Sequence, residues 1–188
     1  LCVLISPPFD FSNVPVIRIS FRHNRSIEGN WDGYLLQYTT DTIINPWNTV
    51  GTINAPFSNN WYADSLLVAP NYQCWSGISN GWELSSIVIP SPSTTQRVYF
   101  RFLFASDGSV VMDGVSIDDF LIEPIDMNVI SGTVFLDQNS NYIIDGPDTA
   151  LPGIAINAVS GSSNTYQMNN ASGDYSVLAT PNVSTTIT

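Results

Sequence analysis

Apolar and polar side chains alternate along this chain with a period of two and almost nowhere with a period of 3.6, a pattern that suits strands and not helices. The clearest case runs from Arg97 to Phe104. There Val98, Phe100, Phe102 and Phe104 share one face while Arg97, Tyr99 and Arg101 share the other. Val16–Arg22 repeats it, with Ile17, Ile19 and Phe21 inward and Arg18, Ser20 and Arg22 outward. Each reads as a half-buried antiparallel strand. Further strands are predicted at Tyr34–Thr39, Trp47–Ile53, Trp82–Ile89, Val115–Ile122, Ile130–Phe135, Ile154–Ser160, Thr165–Asn169 and Tyr175–Ala179. Turn clusters at residues 58–60, 90–95 and 106–109 separate them, so the expected fold class is all-β.

A boundary is expected at Glu123–Met127, where Pro124 cannot continue a central strand and the composition changes. All five Arg, all five Trp and both Cys precede it. Residues 1–126 carry twelve acids against five Arg, net −7, and residues 127–188 carry four Asp against none, net −4. There is no Lys. A chain this poor in cations is excluded as a nucleic-acid binder, because phosphate contacts need clustered Lys and Arg. Its apolar runs are too short to span a membrane. The second domain, 128–188, falls short of the ~100 residues a β-sandwich usually takes, so it is expected to be small, truncated or completed by further chain, truncation being the preferred reading. The start at Leu1 without Met reads as a processed or excised piece.

The stretch Asp137–Asp148 spaces oxygen-bearing residues as a calcium loop does. An EF-hand-type loop takes ligands from its first, third, fifth, seventh, ninth and twelfth positions, the seventh through a backbone carbonyl. Asp137, Asn139, Asn141, Ile143, Asp145 and Asp148 fill them. Tyr142 stands at the sixth position, where Gly is usual, and Asp148 is shorter than the usual Glu, so modest Ca²⁺ affinity is expected. The competing reading is an Asn/Asp-rich turn that needs no metal.

Catalytic motifs are lacking. The single histidine, His23, rules out a two-His zinc motif, and no Ser or Cys lies in a recognisable nucleophile motif. His23 reads as an exposed strand-end residue beside Arg22 and Arg25. Cys2 and Cys74 either form a disulfide across the first domain or serve as small apolar residues. Trp61 and Tyr62, after Asn59-Asn60, and Tyr72 and Trp75, after Asn71, read as loop-borne aromatics that could contact a polar ligand, with burial in the core as the alternative. Trp31, Trp47 and Trp82 read as structural.

Residues Ser6–Ser12, Glu28–Asp41 with Trp31, Asp32 and Tyr38, then Trp47, and Asp113–Phe120 resemble the MAM-like jelly-roll modules of surface proteins and of immune-inhibitor-A-type secreted peptidases, over residues 1–124. That resemblance implies a structural calcium held by Glu28, Asp32 and one of Asp118 or Asp119. Asp118 is preferred, because neighbours on an unbulged strand face opposite ways. The alternative is that these carboxylates cap loops or face water. Ser131–Asp137, Leu151-Pro152-Gly153 and Ser172–Tyr175 resemble the B-repeat domain of serine-aspartate-repeat adhesins, over residues 128–188. This implies an Ig-like sandwich whose calcium stiffens a stalk.

Three triplets, Asp41-Thr42-Ile43, Asp64-Ser65-Leu66 and Asp148-Thr149-Ala150, resemble the O-glycosylation motif of Bacteroidota envelope proteins, which would modify Thr42, Ser65 and Thr149. Asn24, Asn170 and Asn182 head sequons that matter only in a eukaryotic secretory route.

The chain is therefore expected to be an antiparallel jelly-roll sandwich followed by a small Ig-like β-sandwich. Its expected role is non-catalytic, within a larger bacterial protein that is secreted by a type IX route or attached at the outer membrane. Expected partners are an extracellular protein or glycan and neighbouring domains of the same polypeptide. The alternatives are accessory domains of a secreted hydrolase or peptidase, and a carbohydrate-binding module.

Overall fold

Every regular element is a strand in the computed structural model, which describes residues 1–43, 46–66 and 72–188. The chain divides into two units, Leu1–Ile125 and Asp126–Thr188, inside the Glu123–Met127 stretch where composition changes.

The first unit contains β1 (Cys2–Ile5), β2 (Val16–Ser26), β3 (Gly33–Thr39), β4 (Asn48–Thr49), β5 (Ser58–Asn59), β6 (Asp64–Ser65), β7 (Gln73–Cys74), β8 (Glu83–Pro90), β9 (Tyr99–Ala105) and β10 (Gly114–Pro124). Two antiparallel four-stranded sheets form, in the orders β1-β9-β3-β4 and β10-β2-β8-β5, beside a β6-β7 pair. Strands early in the chain pair with strands late in it, and β1, β2, β3 and later β8, β9, β10 alternate between the sheets, which is jelly-roll connectivity.

The alternation decides which face is buried. On β2, Ile17, Ile19 and Phe21 point inward between exposed Arg18 and Arg22, and Val98, Phe100 and Phe102 supply the opposing layer. Pro124 ends β10 at a sheet edge, where its missing N–H costs the ladder nothing. The expected Trp47–Ile53 strand shrinks to β4. Gly51 ends it with a left-handed φ of 70°, and a Cβ there would meet the side chains of Ile87 and Trp61.

The second unit contains β11 (Asn128–Thr133), β12 (Phe135–Leu136), β13 (Thr149–Ala150), β14 (Ala155–Ser160), β15 (Ser163–Met168), β16 (Asp174–Ala179) and β17 (Thr185–Ile187). β11 pairs with β16, β12 with β13, and β14 lies between β15 and β17, all antiparallel. Its core is thin: Ile156, Ala158 and Val177, with Ile130, Val134 and Tyr175 packed against them.

Candidate functional site

The β12-β13 pair holds the two ends of the exposed loop 137–148 together. Asp137 organises its first turn: Oδ2 accepts the Tyr142 N–H at 2.8 Å and Oδ1 the Asn141 N–H at 3.3 Å. Asn139 Oδ1 and Asn141 Oδ1 each accept the N–H two residues on, at 3.1 and 2.8 Å, in the manner of Asx turns. Asp148 closes the loop by accepting the Gln138 and Asp145 N–H groups, each at 3.0 Å. Asp145 in turn accepts the side-chain amides of Asn139 at 3.1 Å and Asn141 at 2.7 Å. Asp137, Asn139, Asn141, Asp145 and Asp148 thus share one hydrogen-bonded network, and Ile143 joins it through its backbone N–H.

Tyr142 adopts a φ of 61°, so the backbone makes the left-handed turn for which Gly is usual at this position. Its ring, 90% exposed, gains little packing in return. Backbone N–H donors, that of Tyr142 foremost, hold the Asp137 carboxyl below its ordinary range. No Lys or Arg occurs in residues 127–188 to offset the loop's three carboxylates. Among the described residues no three His, Cys, Asp or Glu side chains stand close enough to hold a metal by themselves. The loop's donors are instead mixed: three carboxylates, two amides and a main-chain carbonyl. All are oxygens, the donor type a hard cation such as Ca²⁺ selects.

The grouping of Glu28, Asp32 and Asp118 is not what the fold brings together. Asp32 is buried before β3, and its Oδ1 accepts the Asp107 N–H at 3.3 Å. Both Asp107 oxygens bond Ser109 Oγ at 2.9 Å, and the same hydroxyl reaches Glu28 Oε2 at 3.4 Å. The third acid beside Glu28 and Asp32 is therefore Asp107, from the 106–109 turn that the sequence showed only as a turn. Asp118 faces Arg22 across the ladder, whereas Gly114 faces Ser26, the β2 residue nearest Glu28. Four residues of strand put Asp118 roughly 13 Å farther along β10. β10 does bulge between Asp118 and Leu121, where Asp119 takes a φ of 52° and approaches Arg22 at 3.6 Å.

The aromatics divide the opposite way from the sequence reading. Trp61, Tyr62 and Trp75 are core residues and no ligand surface. Trp75 is 1% exposed, and its ring centroid lies 4.5 Å from that of Tyr62 and 4.9 Å from that of Trp61. Their polar atoms are spent on the backbone: Trp61 Nε1 donates to Val50 O, Trp75 Nε1 to Asn60 O, and Tyr62 OH to Leu36 O. Tyr72 is half-buried against the same core. Asn71 lies outside the described residues. Trp82 is instead 49% exposed and Trp31 is exposed too. The register explains Trp82: Ser85 and Ile87 lie opposite the inward Phe21 and Ile19, so Glu83, Ser85 and Ile87 share the core-side parity and Trp82 and Leu84 fall on the other.

His23 is also a correction. It is fully buried, next in the inward series Ile17, Ile19, Phe21. Its Nδ1 bonds Tyr34 OH and its Nε2 bonds Ser85 Oγ at 2.8 Å. Ser85 gives its proton to Asn60 O, so Nε2 carries the hydrogen and Nδ1 accepts from Tyr34. Desolvation, and then the Arg25 charge, lower the His23 pKa to about 4. The serine–histidine pair is thus a sealed core network.

Cys2 and Cys74 are not bridged. Cys2 sits exposed on the edge strand β1, whereas Cys74 is buried on β7, its Sγ pressed towards Gly33. Burial, and then Asp64, push the Cys74 thiol up to about 12. Thr42, Ser65 and Thr149 are all solvent-exposed, Thr149 Oγ1 accepting an N–H from Gln138 Nε2 at 3.1 Å.

No helix is long and apolar enough to cross a membrane among the described residues. No protein-family model, curated protein or solved structure matches the chain, so its family resemblances rest on the residues quoted above.

Proposed function

We propose that the chain is a non-catalytic binding and spacer segment of a secreted or cell-surface protein, in which calcium at the 137–148 loop braces the second unit. One observation carries this reading. The loop is folded around Asp137 with carboxylate and amide oxygens gathered in one network, and its unit holds no side-chain cation to neutralise them. Asp137, Asn139, Asn141, Asp145, Asp148 and the Ile143 carbonyl would hold the ion. Bound calcium would supply the missing positive charge and fix the two ends of the loop against β12 and β13. Thr42, Ser65 and Thr149 are solvent-exposed residues, as glycosylation acceptors on an exported surface would have to be.

Calcium that binds only the folded state adds about 2.7 kcal/mol when its concentration is a hundred times Kd. For a unit of this size each kcal/mol corresponds to roughly 4–8 °C. Calorimetry in millimolar CaCl₂ against EDTA is expected to move one melting transition by several degrees, and Asp145→Ala to abolish the movement. Superimposable melting curves in the two buffers would overturn the proposal.

A further inference from the structure

The most distinctive surface outside these sites is the open side of the first sandwich. β1 is the last strand of one sheet and β10 the last of the other, so two strand edges flank one groove. Cavities of about 370 and 250 Å³ lie along it and share Leu4, Phe102 and Ile117. Every β1 side chain is exposed although its sequence is Cys-Val-Leu-Ile, and Leu4 is 63% exposed. An apolar edge of this kind is what natural sheets ordinarily cover or interrupt with charge.

The charge at the groove is predominantly negative. Asp118 and Asp119 line the larger cavity, and Asp113 and Glu123 flank them along the chain, with no cationic residue from 113 to 124. Arg22 reaches Asp119 and Arg18 reaches Glu123 from β2, leaving Asp118 without an ion pair among the described residues. Arg101, the one cation bordering the larger cavity among the described residues, donates its Nε–H to Gln37 Oε1 at 2.9 Å and lies over the Trp47 ring. The β10 bulge stands at the same place, with Asp119 in a left-handed conformation that a non-glycine residue seldom takes. Bulges re-aim side chains beside sheet edges and sites.

We propose that this groove binds an extended segment of a partner protein as an added strand on β10, its apolar side chains entering the groove and an adjacent Lys or Arg meeting Asp118. Strand addition gives affinity through main-chain hydrogen bonds and specificity through alternate side chains, which fits an edge strand above an apolar trough with an unpaired carboxylate at its rim. The inference deepens the binding role assigned to the first unit and does not involve the calcium loop.

The test measures fluorescence anisotropy of a labelled, capped peptide of alternating Val and Lys on the full chain, beside a peptide with Glu in place of Lys. The Lys peptide is expected to bind and the Glu peptide not. Asp118→Asn, which keeps the shape of the side chain, and Leu4→Ser, at an exposed position, are each expected to weaken binding about tenfold. Asp174→Asn, a charge-matched change in the second unit, is expected to leave it unchanged. Equal binding of both peptides, or equal weakening by Asp174→Asn, would overturn the proposal. So would sedimentation showing a dimer that Leu4→Ser dissolves, because a second copy would then occupy the groove. Calorimetry in calcium on the same samples keeps the two readings apart: a calcium-dependent transition without peptide binding sinks only this one.

Discussion

Burying an imidazole makes acid an unfolding agent. His23 titrates near 6.5 in an unfolded chain and at about 4 in the core, so between those values the unfolded state holds the extra proton. The stability from keeping the ring neutral is complete above pH 6.5 and is lost as pH falls towards 4, by about 3 kcal/mol. Urea unfolding at pH 7 and pH 4 is expected to show this loss, and His23→Gln to flatten that part of the profile at a lower overall stability. The burial of His23 was legible, because it continues the i+2 series of Ile17, Ile19 and Phe21; its Arg neighbours describe only the outer face. Trp61 and Trp75 were not legible. Neighbouring Asn residues report local polarity, whereas burial of these rings is set by contacts with Phe21 and Tyr62, far away in the chain.

Among the elements, the long strands could be read and the short ones could not. β2, β3, β8, β9, β10, β14 and β16 carry enough alternation to announce themselves, while β5, β6, β7 and β13 span two residues each and exist only because a partner lies alongside. The same limit hid Asp107: a turn residue shows its own bend but not which distant carboxylates the bend will meet. Within the 137–148 loop the spacing of ligands was visible, and the conformation of Tyr142 was not. That residue pays for a left-handed backbone with a ring in solvent. Tyr142→Gly is therefore expected to relieve strain of roughly 1 kcal/mol, partly offset by the added freedom of the unfolded chain. Calcium titration by calorimetry is the check, with tighter binding in the variant as the expected outcome.

For the whole molecule, the two units differ in how they are secured. Among the described residues the first gathers twenty buried side chains, Trp, Tyr and Phe among them, into one core cluster, while the cluster of the second has three. Neither uses a covalent staple. Melting is expected to be unchanged by a reducing agent, and thiol titration with Ellman's reagent to find Cys2 at once and Cys74 only in denaturant, since burial keeps the latter protonated. One immediately reactive pair of thiols, or none until reduction, would contradict the unbridged arrangement.

The slender interior of Asp126–Thr188 sets how the unit can be handled in transit. So small a buried cluster leaves its folding balance within reach of one ion's binding energy, so under the proposed function the unit would be loosely folded where calcium is scarce and firmly folded where it is plentiful. If the proposed export and calcium binding hold, such a unit would cross a narrow pore while slack and firm up only where the ion is plentiful.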